Sequence, residues 1–188
     1  MNFIKHFKNS ERHYGWISIT LHWLIGLCII GLYFLGGYMM DISYYDSFYT
    51  LGPKIHEALG ISVLLLMVFR VLWTLFNTKP NPAANNSNFV NKASSIAHIG
   101  LYCMTFVILI SGLLVAFAGG HGLEIFDWFT IPGPNQLFDN QASRAGEIHE
   151  LVGNGLMALV VLHALAALKH HFFEKDNTLS KMLGIKEK

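Results

Sequence analysis

Four long apolar runs constrain the fold of this chain more than any other feature of its sequence. The runs cover residues 16–39, 56–76, 96–118 and 148–168. Each has about 20 residues or more, the helical length needed to cross a hydrocarbon core of about 30 Å. Strands of a membrane barrel are disfavoured because the runs are too long and do not alternate between apolar and polar residues. The sequence therefore predicts an all-α integral membrane protein, a four-helix transmembrane bundle in which residues 1–188 form one domain.

The composition favours the same class of protein. Hydrophobic residues make up 53% of the 188-residue chain and charged residues only 13%, whereas soluble domains carry about 25% charged residues. A soluble bundle of buried helices is the alternative. The first run is too long for a secretory signal and lacks a cleavage site of small residues. We expect membrane lipid around the chain, no appended soluble domain and no nucleic-acid partner.

The distribution of cations predicts the orientation in the membrane. Four spans leave both termini on one side. Of the 13 lysines and arginines, all but Lys54 and Arg144 lie before the first run, around the second loop or after the fourth run. By the positive-inside rule these segments are cytoplasmic. The sequence therefore predicts a multi-pass protein of the bacterial inner membrane with both termini in the cytoplasm and acidic outer loops.

The connecting segments carry weaker signals. Residues 79–91 are rich in proline and asparagine, which predicts a connector without regular structure. Residues 119–140 contain several aromatic side chains, including Phe126 and Trp128, and are expected to lie at headgroup level on the outer side. Pro53 is typical of the first turn of a helix, and we expect it at the start of the second span.

Familiar cofactor and catalytic motifs are missing from the sequence. The two cysteines, Cys28 and Cys103, lie within apolar runs and indicate no disulfide framework. A Cys-x-x-Cys-His motif for covalent haem is absent, as are phosphate-binding and dinucleotide-binding glycine loops. The His-Glu pairs at positions 56–57 and 149–150 lack the second histidine of a zinc site. The remaining chemical signal is a set of histidines in apolar sequence.

Four of the histidines in the apolar runs lie at depths that match in pairs: His22, His56, His149 and His163. Ionisable residues in a membrane are costly and usually functional, and imidazole is a common axial ligand of haem iron. His149 and His163 are 14 positions apart, which is about 21 Å of helix rise with both rings on one face. Counting depth along each run pairs His22 with His163 inside and His56 with His149 outside. This arrangement predicts two bis-histidine b haems, one near each surface.

Small residues and cations accompany these histidines. Glycine follows three of them by four positions, at Gly26, Gly60 and Gly153, where it would leave room for a flat porphyrin or let helices pack closely.

Arg70 shares a helix face with His56 and lies at the inner level. It is a candidate partner of a haem propionate, or a residue that snorkels to the surface. Lys54 and Arg144, the two outer cations, are propionate candidates or solvated loop charges.

Three further histidines have open roles. His98 begins the third run on the cytoplasmic side and is a candidate spare ligand, quinone-site residue or polar cap. His170 and His171 follow the fourth run. They are candidates for accepting protons or binding a quinone, and with Lys169 they would otherwise form an interfacial basic cluster.

Several stretches resemble one protein family, the bacterial cytochromes b561, which are four-helix, di-haem cytochromes of the inner membrane. The stretches are ISITLHWLIG, KIHEALGISVLLLMVFRVLW, SIAHIGLYCMTF and EIHELVGNGLMALVVLHALAALKHHFFEKDNTLSKML. The resemblance covers nearly the whole chain, although the first outer loop and the region after Ala118 match less closely. It implies two noncovalent haem b groups with axial ligands at His22, His56, His149 and His163.

The resemblance also implies a reaction. In close relatives superoxide is oxidised to dioxygen outside and ubiquinone near the cytoplasmic side accepts the electrons, with a quinone contact at His170. We therefore expect a superoxide:quinone oxidoreductase, although acidic outer loops would repel superoxide except near Lys54 and Arg144. One alternative is a membrane-anchor subunit that relays electrons between a partner dehydrogenase or hydrogenase and the quinone pool. Another is a haem-free carrier of ions or protons.

Overall fold

A computed structural model describes residues 6–82, 87–120, 122–125, 129–134 and 136–185. Four long helices dominate it, with a short hairpin between the third and fourth and a short helix near the C-terminus. The elements are α1 (Trp16–Asp41), α2 (Phe48–Leu75), α3 (Asn88–Phe117), β1 (Leu123–Ile125), β2 (Phe129–Ile131), α4 (Gln141–Phe172) and α5 (Thr178–Met182).

The long helices have the surface expected of membrane spans. They contain 26 to 32 residues each, and all four are apolar enough to cross a membrane. Large apolar side chains point away from the protein on every one of them, as at Leu27, Leu65, Ile110 and Leu151. Lipid tails are as apolar as these side chains, so such exposure carries no penalty in a bilayer. The predicted all-α fold with four transmembrane helices is confirmed.

The helices extend beyond the apolar runs. Helix α2 begins at Phe48 because the carboxylate of Asp46 accepts a hydrogen bond from the Phe48 N–H at 2.7 Å and so satisfies one of the free donors at the helix start. Pro53 consequently lies inside α2, and the expectation that it occupies the first turn was wrong.

The segment between α3 and α4 contains a strand pair that the sequence did not predict. β1 and β2 are antiparallel, with Leu123 opposite Ile131 and Ile125 opposite Phe129. Strands of three residues are too short to show an alternating pattern. Gly122 precedes β1 with a φ of +73°, and a Cβ there would lie 2.6 Å from the Ile131 carbonyl oxygen, so only glycine fits. Phe126 and Trp128 lie outside the described residues.

The chain divides into two compact units. The first unit comprises Met1–Gly26, Leu66–Leu101 and Ala158–Lys188, and the second comprises Leu27–Leu65 and Tyr102–Met157. In the first unit, the Asn9 side chain accepts hydrogen bonds from the Gly15 N–H and the Ser18 hydroxyl and donates one to the Thr78 carbonyl. The Trp23 indole donates to the Met182 carbonyl at 2.8 Å. These bonds attach the N-terminal segment and α5 to the helix ends.

In the second unit, Gln141 joins α3 to α4. Its side chain is fully buried; the amide nitrogen donates to the Leu114 carbonyl at 2.8 Å, and the amide oxygen accepts from the Leu137 N–H at 2.7 Å. Leu114 is in the last turn of α3, where carbonyl groups lack partners within the helix. One buried amide thus satisfies the end of α3 and the segment that leads into α4.

Replacing Gln141 with leucine is expected to destabilise the protein. Leucine has a similar size but cannot hydrogen-bond, so the Leu137 N–H and the Leu114 carbonyl would each lose one hydrogen bond, at a total cost of roughly 1–3 kcal/mol. Thermal unfolding in detergent should show a lower midpoint for Gln141→Leu. The matched control is Gln136→Leu, because Gln136 is exposed and its side chain donates to the nearby Phe138 carbonyl. Equal midpoints for the two variants would contradict the role given to Gln141.

Candidate functional site

Two histidine rings face each other in the second unit. His56 of α2 and His149 of α4 have ring centroids 6.1 Å apart with an angle of 65° between the ring planes. A metal ion lies about 2.0–2.1 Å from an imidazole nitrogen, and that nitrogen is roughly 1 Å from the ring centre, so two rings on opposite sides of one ion have centres about 6 Å apart. The observed separation matches this value.

Helix α3 fixes the proton of His149. The ring Nδ1 lies 3.0 Å from the Ile108 carbonyl oxygen and 3.1 Å from the Ser111 hydroxyl oxygen. Because a carbonyl oxygen only accepts hydrogen bonds, Nδ1 must carry the proton, and Nε2 keeps a free electron pair. This is the tautomer that a metal-binding imidazole requires, with its orientation set by the second nitrogen.

Two glycines that the sequence analysis missed lie against these rings. A Cβ on Gly36 of α1 would lie 3.4 Å from His56 Cε1, and a Cβ on Gly112 of α3 would lie 3.1 Å from His149 Cε1. Both glycines are on helices that supply no ring to this pair. The depth of each glycine along α1 or α3, compared with the depth of the histidines, is the sequence signal that could have identified them.

The glycines predicted from the sequence to have a role fall into two groups. A Cβ on Gly26 or Gly60, four positions after His22 and His56, would meet nothing within 4 Å. The described structure thus leaves open space at both glycines, as their predicted role requires. Gly153 is buried, and its Cβ would lie 3.3 Å from Ile108 Cδ1. It serves close packing of α4 against α3, the other role considered for these glycines.

A second pair of rings lies in the first unit. His22 of α1 and His163 of α4 have centroids 6.2 Å apart and ring planes at 71°, nearly the values of the first pair. His98 of α3 joins this group, with its ring 5.3 Å from that of His163. Its Nδ1 lies 2.7 Å from the Ser94 carbonyl oxygen, so Nδ1 carries the proton. The sequence left the role of His98 open; its position beside His163 associates it with this pair.

The predicted cations differ in their surroundings. Arg70 of α2 is half-buried, and its Nη2 lies 3.4 Å from His22 Nδ1, so the first unit brings this arginine to the His22–His163 pair. Lys54 and Arg144 are exposed residues of the second unit, near His56 and His149 in sequence. The Arg70 guanidinium beside the rings, and the Lys54 ammonium and Arg144 guanidinium at the surface, are all suited to carboxylate partners.

His170 and His171 lie in the last turn of α4. The tail that follows the helix folds around His170. The ring Nδ1 lies 2.6 Å from Glu174 Oε2 and 2.7 Å from Asp176 Oδ2. Lys169 donates to Glu174 Oε1 at 2.6 Å. The predicted interfacial group of basic residues is thus paired with two tail carboxylates, which the sequence analysis did not include. The His171 ring packs edge-on against Phe172.

The Asp176 carboxylate is held in its charged form. Partial burial by itself would raise its pKa, but hydrogen bonds from Thr178 and from His170, together with the charge on that ring, outweigh the burial and lower the pKa of Asp176 below its ordinary value. The Thr178 N–H donates to Asp176 Oδ1 at 2.8 Å. The carboxylate beside His170 therefore stays ionised across the physiological pH range.

Comparison with known proteins identifies the family. A sequence profile of the prokaryotic cytochromes b561 matches residues 13–184. Cytochrome b561 homolog 2 of Escherichia coli (strain K12) is 38% identical over 178 residues, which cover 95% of both chains. Cytochrome b561 homolog 1 of the same strain is 31% identical over 174 residues, which cover 88% of this chain and 94% of that protein. The protein called probable superoxide oxidase CybB of Yersinia pestis is 28% identical over 175 residues, which cover 92% and 97% of the two chains.

The chain belongs to the prokaryotic cytochrome b561 family. It is a membrane-embedded electron-transfer protein that uses haem b, and it crosses the bacterial inner membrane several times. The residues present fit that cofactor. The spacing of each ring pair is compatible with one iron between the rings, and the glycines four positions after His22 and His56 have open space at their Cβ positions.

Replacing Gly112 with alanine is expected to disturb His149. The new Cβ would lie 3.1 Å from the ring and would push it away from its bond to Ile108. We expect the affinity for one haem to fall by about 10-fold, the low end of the range for changes to groups that orient a metal ligand, with a shift in one low-spin electron paramagnetic resonance signal. Gly31→Ala is the control, because a Cβ there meets nothing within 4 Å. Identical spectra for the two variants would refute this role of Gly112.

Proposed function

We propose that this protein is a di-haem cytochrome that transfers electrons across the inner membrane, from superoxide on the periplasmic side to ubiquinone on the cytoplasmic side. The observation that carries the proposal is the presence of two histidine pairs with centroid separations of 6.1 and 6.2 Å. Helix α4 supplies one ring to each pair. Two sites of the same design on a shared helix suit a protein that accepts electrons at one membrane surface and releases them at the other.

In this proposal His56 and His149 hold the haem nearer the periplasm, and His22 and His163 hold the haem nearer the cytoplasm. When bound, haem iron supplies the one-electron redox chemistry, and the protein supplies binding, orientation and electrostatics. Ile108 and Ser111 keep the Nδ1 proton of His149 in place, so that Nε2 is available as a ligand.

The cations complete the two sites. Arg70 lies beside His22 and is the proposed partner of a propionate on the cytoplasmic side, where a guanidinium can bind a carboxylate with two parallel hydrogen bonds. Lys54 and Arg144 are the proposed propionate partners on the periplasmic side. They also provide local positive charge for an anionic substrate such as superoxide, and the name of the Yersinia pestis relative supports that substrate.

Ubiquinone is proposed to bind at the opposite end, near His170 and His171. Both residues lie in the last turn of α4, which the proposal assigns to the same membrane surface as the two termini. Most lysines and arginines of the chain are in the segments assigned to this surface, and by the positive-inside rule this supports a cytoplasmic location. A histidine at such a surface can exchange protons with water, as quinone reduction requires.

Ligand replacement is expected to remove one haem at a time. His149→Ala or His56→Ala should lower the haem content from two per chain to one, because a bis-histidine site loses one of its two bonds to iron. His163→Ala or His22→Ala should remove the other haem, which redox titration would distinguish by its potential. His6→Ala is the control, since His6 is exposed and outside the helices. Two haems with unchanged low-spin spectra in His149→Ala would refute the ligand assignment.

The reaction itself is tested on the isolated protein. Stopped-flow mixing of the haem-loaded protein with superoxide is expected to give the absorbance spectrum of reduced cytochrome b without any partner protein. Addition of ubiquinone should then restore the oxidised spectrum. Failure of superoxide to reduce the protein, together with rapid reduction by a dehydrogenase or hydrogenase, would favour a membrane-anchor subunit instead.

A further inference from the structure

The tail after α4 folds back onto His170 and fixes its ring. Asp176 makes three hydrogen bonds there: its Oδ2 lies 2.7 Å from His170 Nδ1, its Oδ1 accepts from the Thr178 N–H at 2.8 Å, and its own N–H donates to the His170 carbonyl at 3.1 Å. Its side chain is only 4% exposed. A carboxylate held by its own backbone and by the next turn has little freedom, so the imidazole it binds is held as well.

This contact determines which nitrogen of His170 can exchange a proton. An ionised carboxylate only accepts hydrogen bonds, so Nδ1 carries a proton in both the neutral and the charged ring. The exchangeable position is therefore Nε2, on the other side of the ring.

Glu174 approaches the same nitrogen but is less suited to holding the His170 ring. Its Oε2 lies 2.6 Å from His170 Nδ1, and its Oε1 is bound by Lys169 at 2.6 Å. The Glu174 side chain is 33% exposed, so water and Lys169 both weaken its effect on the ring. One N–H cannot make two linear hydrogen bonds. Asp176 is the stronger acceptor, because it is buried and has no lysine partner of its own in the described tail.

We propose that Asp176 is a positioning residue that holds His170 so that its Nε2 delivers protons to ubiquinone. This inference rests on the proposed function, because it assigns a proton donor to the quinone end of that reaction. Asp176 does not contact the substrate in this scheme; it sets the tautomer of the ring that does.

The protons and electrons balance as follows. Conversion of ubiquinone to ubiquinol takes up two electrons and two protons. Oxidation of two superoxide ions to two dioxygen molecules supplies the electrons. For each proton, the Nε2–H bond of the charged ring breaks, its electron pair stays on nitrogen, and an O–H bond forms on a quinone oxygen. Water on the cytoplasmic side then returns a proton to Nε2 before the second transfer.

The test compares two carboxylate variants, Asp176→Asn and Glu174→Gln, in haem-loaded protein. The proteins are reduced, and reoxidation by a short-chain ubiquinone is followed by absorbance over a range of quinone concentrations. Asp176→Asn is expected to lower the maximal rate by about 100-fold, the low end of the range for general acid catalysis, and to change the KM by less than about threefold. Glu174→Gln should stay within about threefold of the wild-type rate.

A third variant separates a proton-transfer role from simple disruption of the tail. His170→Gln keeps an amide that can hydrogen-bond to the tail but cannot deliver a proton, so its maximal rate should fall as much as that of Asp176→Asn. The double variant should be no slower than either single one, because residues that act as a unit are not additive. Haem content and the rate of reduction by superoxide should stay at wild-type values in all variants and report intact folding.

The outcomes are distinguishable. A wild-type rate for Asp176→Asn, or equal losses for Asp176→Asn and Glu174→Gln, overturns the inference while ubiquinone remains the acceptor. Additive losses in the double variant also overturn it. Failure of ubiquinone to reoxidise the wild-type protein overturns the proposed function and this inference with it.

Discussion

The structure depends on placing imidazole rings in an apolar interior, where a polar atom without a hydrogen bond is costly. His149 shows how this is done with neutral groups. The Ile108 carbonyl already belongs to the ladder of α3, where it points toward residue 112. Because residue 112 is glycine, no side chain shields that carbonyl, and the His149 ring can reach it at 3.0 Å. One missing side chain on α3 thus allows a backbone atom to fix the proton of a ring on α4.

The His22–His163 pair is surrounded differently. A guanidinium and a third imidazole lie beside it, from Arg70 and His98, and a backbone carbonyl holds the proton of His98. Charge of this kind in a membrane segment needs a partner of opposite sign. In the proposed function, a haem propionate beside Arg70 supplies negative charge of this kind.

The depth of each histidine along its helix could be predicted from the sequence. Rise per residue and face periodicity are fixed by helix geometry, so the positions of His22, His56, His149 and His163 in their runs were enough to select which rings would be neighbours. Their pairing in the structure follows that arithmetic. The number of helices followed as directly from the length of the apolar runs.

Contacts that depend on helix rotation and packing could not be predicted in this way. The rings of His56 and His149 contact residues of other helices: Gly36, Gly112 and Ser111. No local sequence pattern predicts which helices pack against each other. The short hairpin and the position of Pro53 were missed for a different reason. A three-residue strand has no detectable period, and a single capping bond at Asp46 decided where α2 begins.

The location of Asp176 follows from the same energetics that govern the rings. An ionised carboxylate inside a span would cost far more than a neutral imidazole, so an anion that assists proton transfer has to come from the aqueous side. The tail provides it by folding back after α4, where the Thr178 N–H and the ring of His170 satisfy the carboxylate. In this proposal proton transfer takes place at the membrane surface, and the histidines within the apolar segments bind and orient the cofactor.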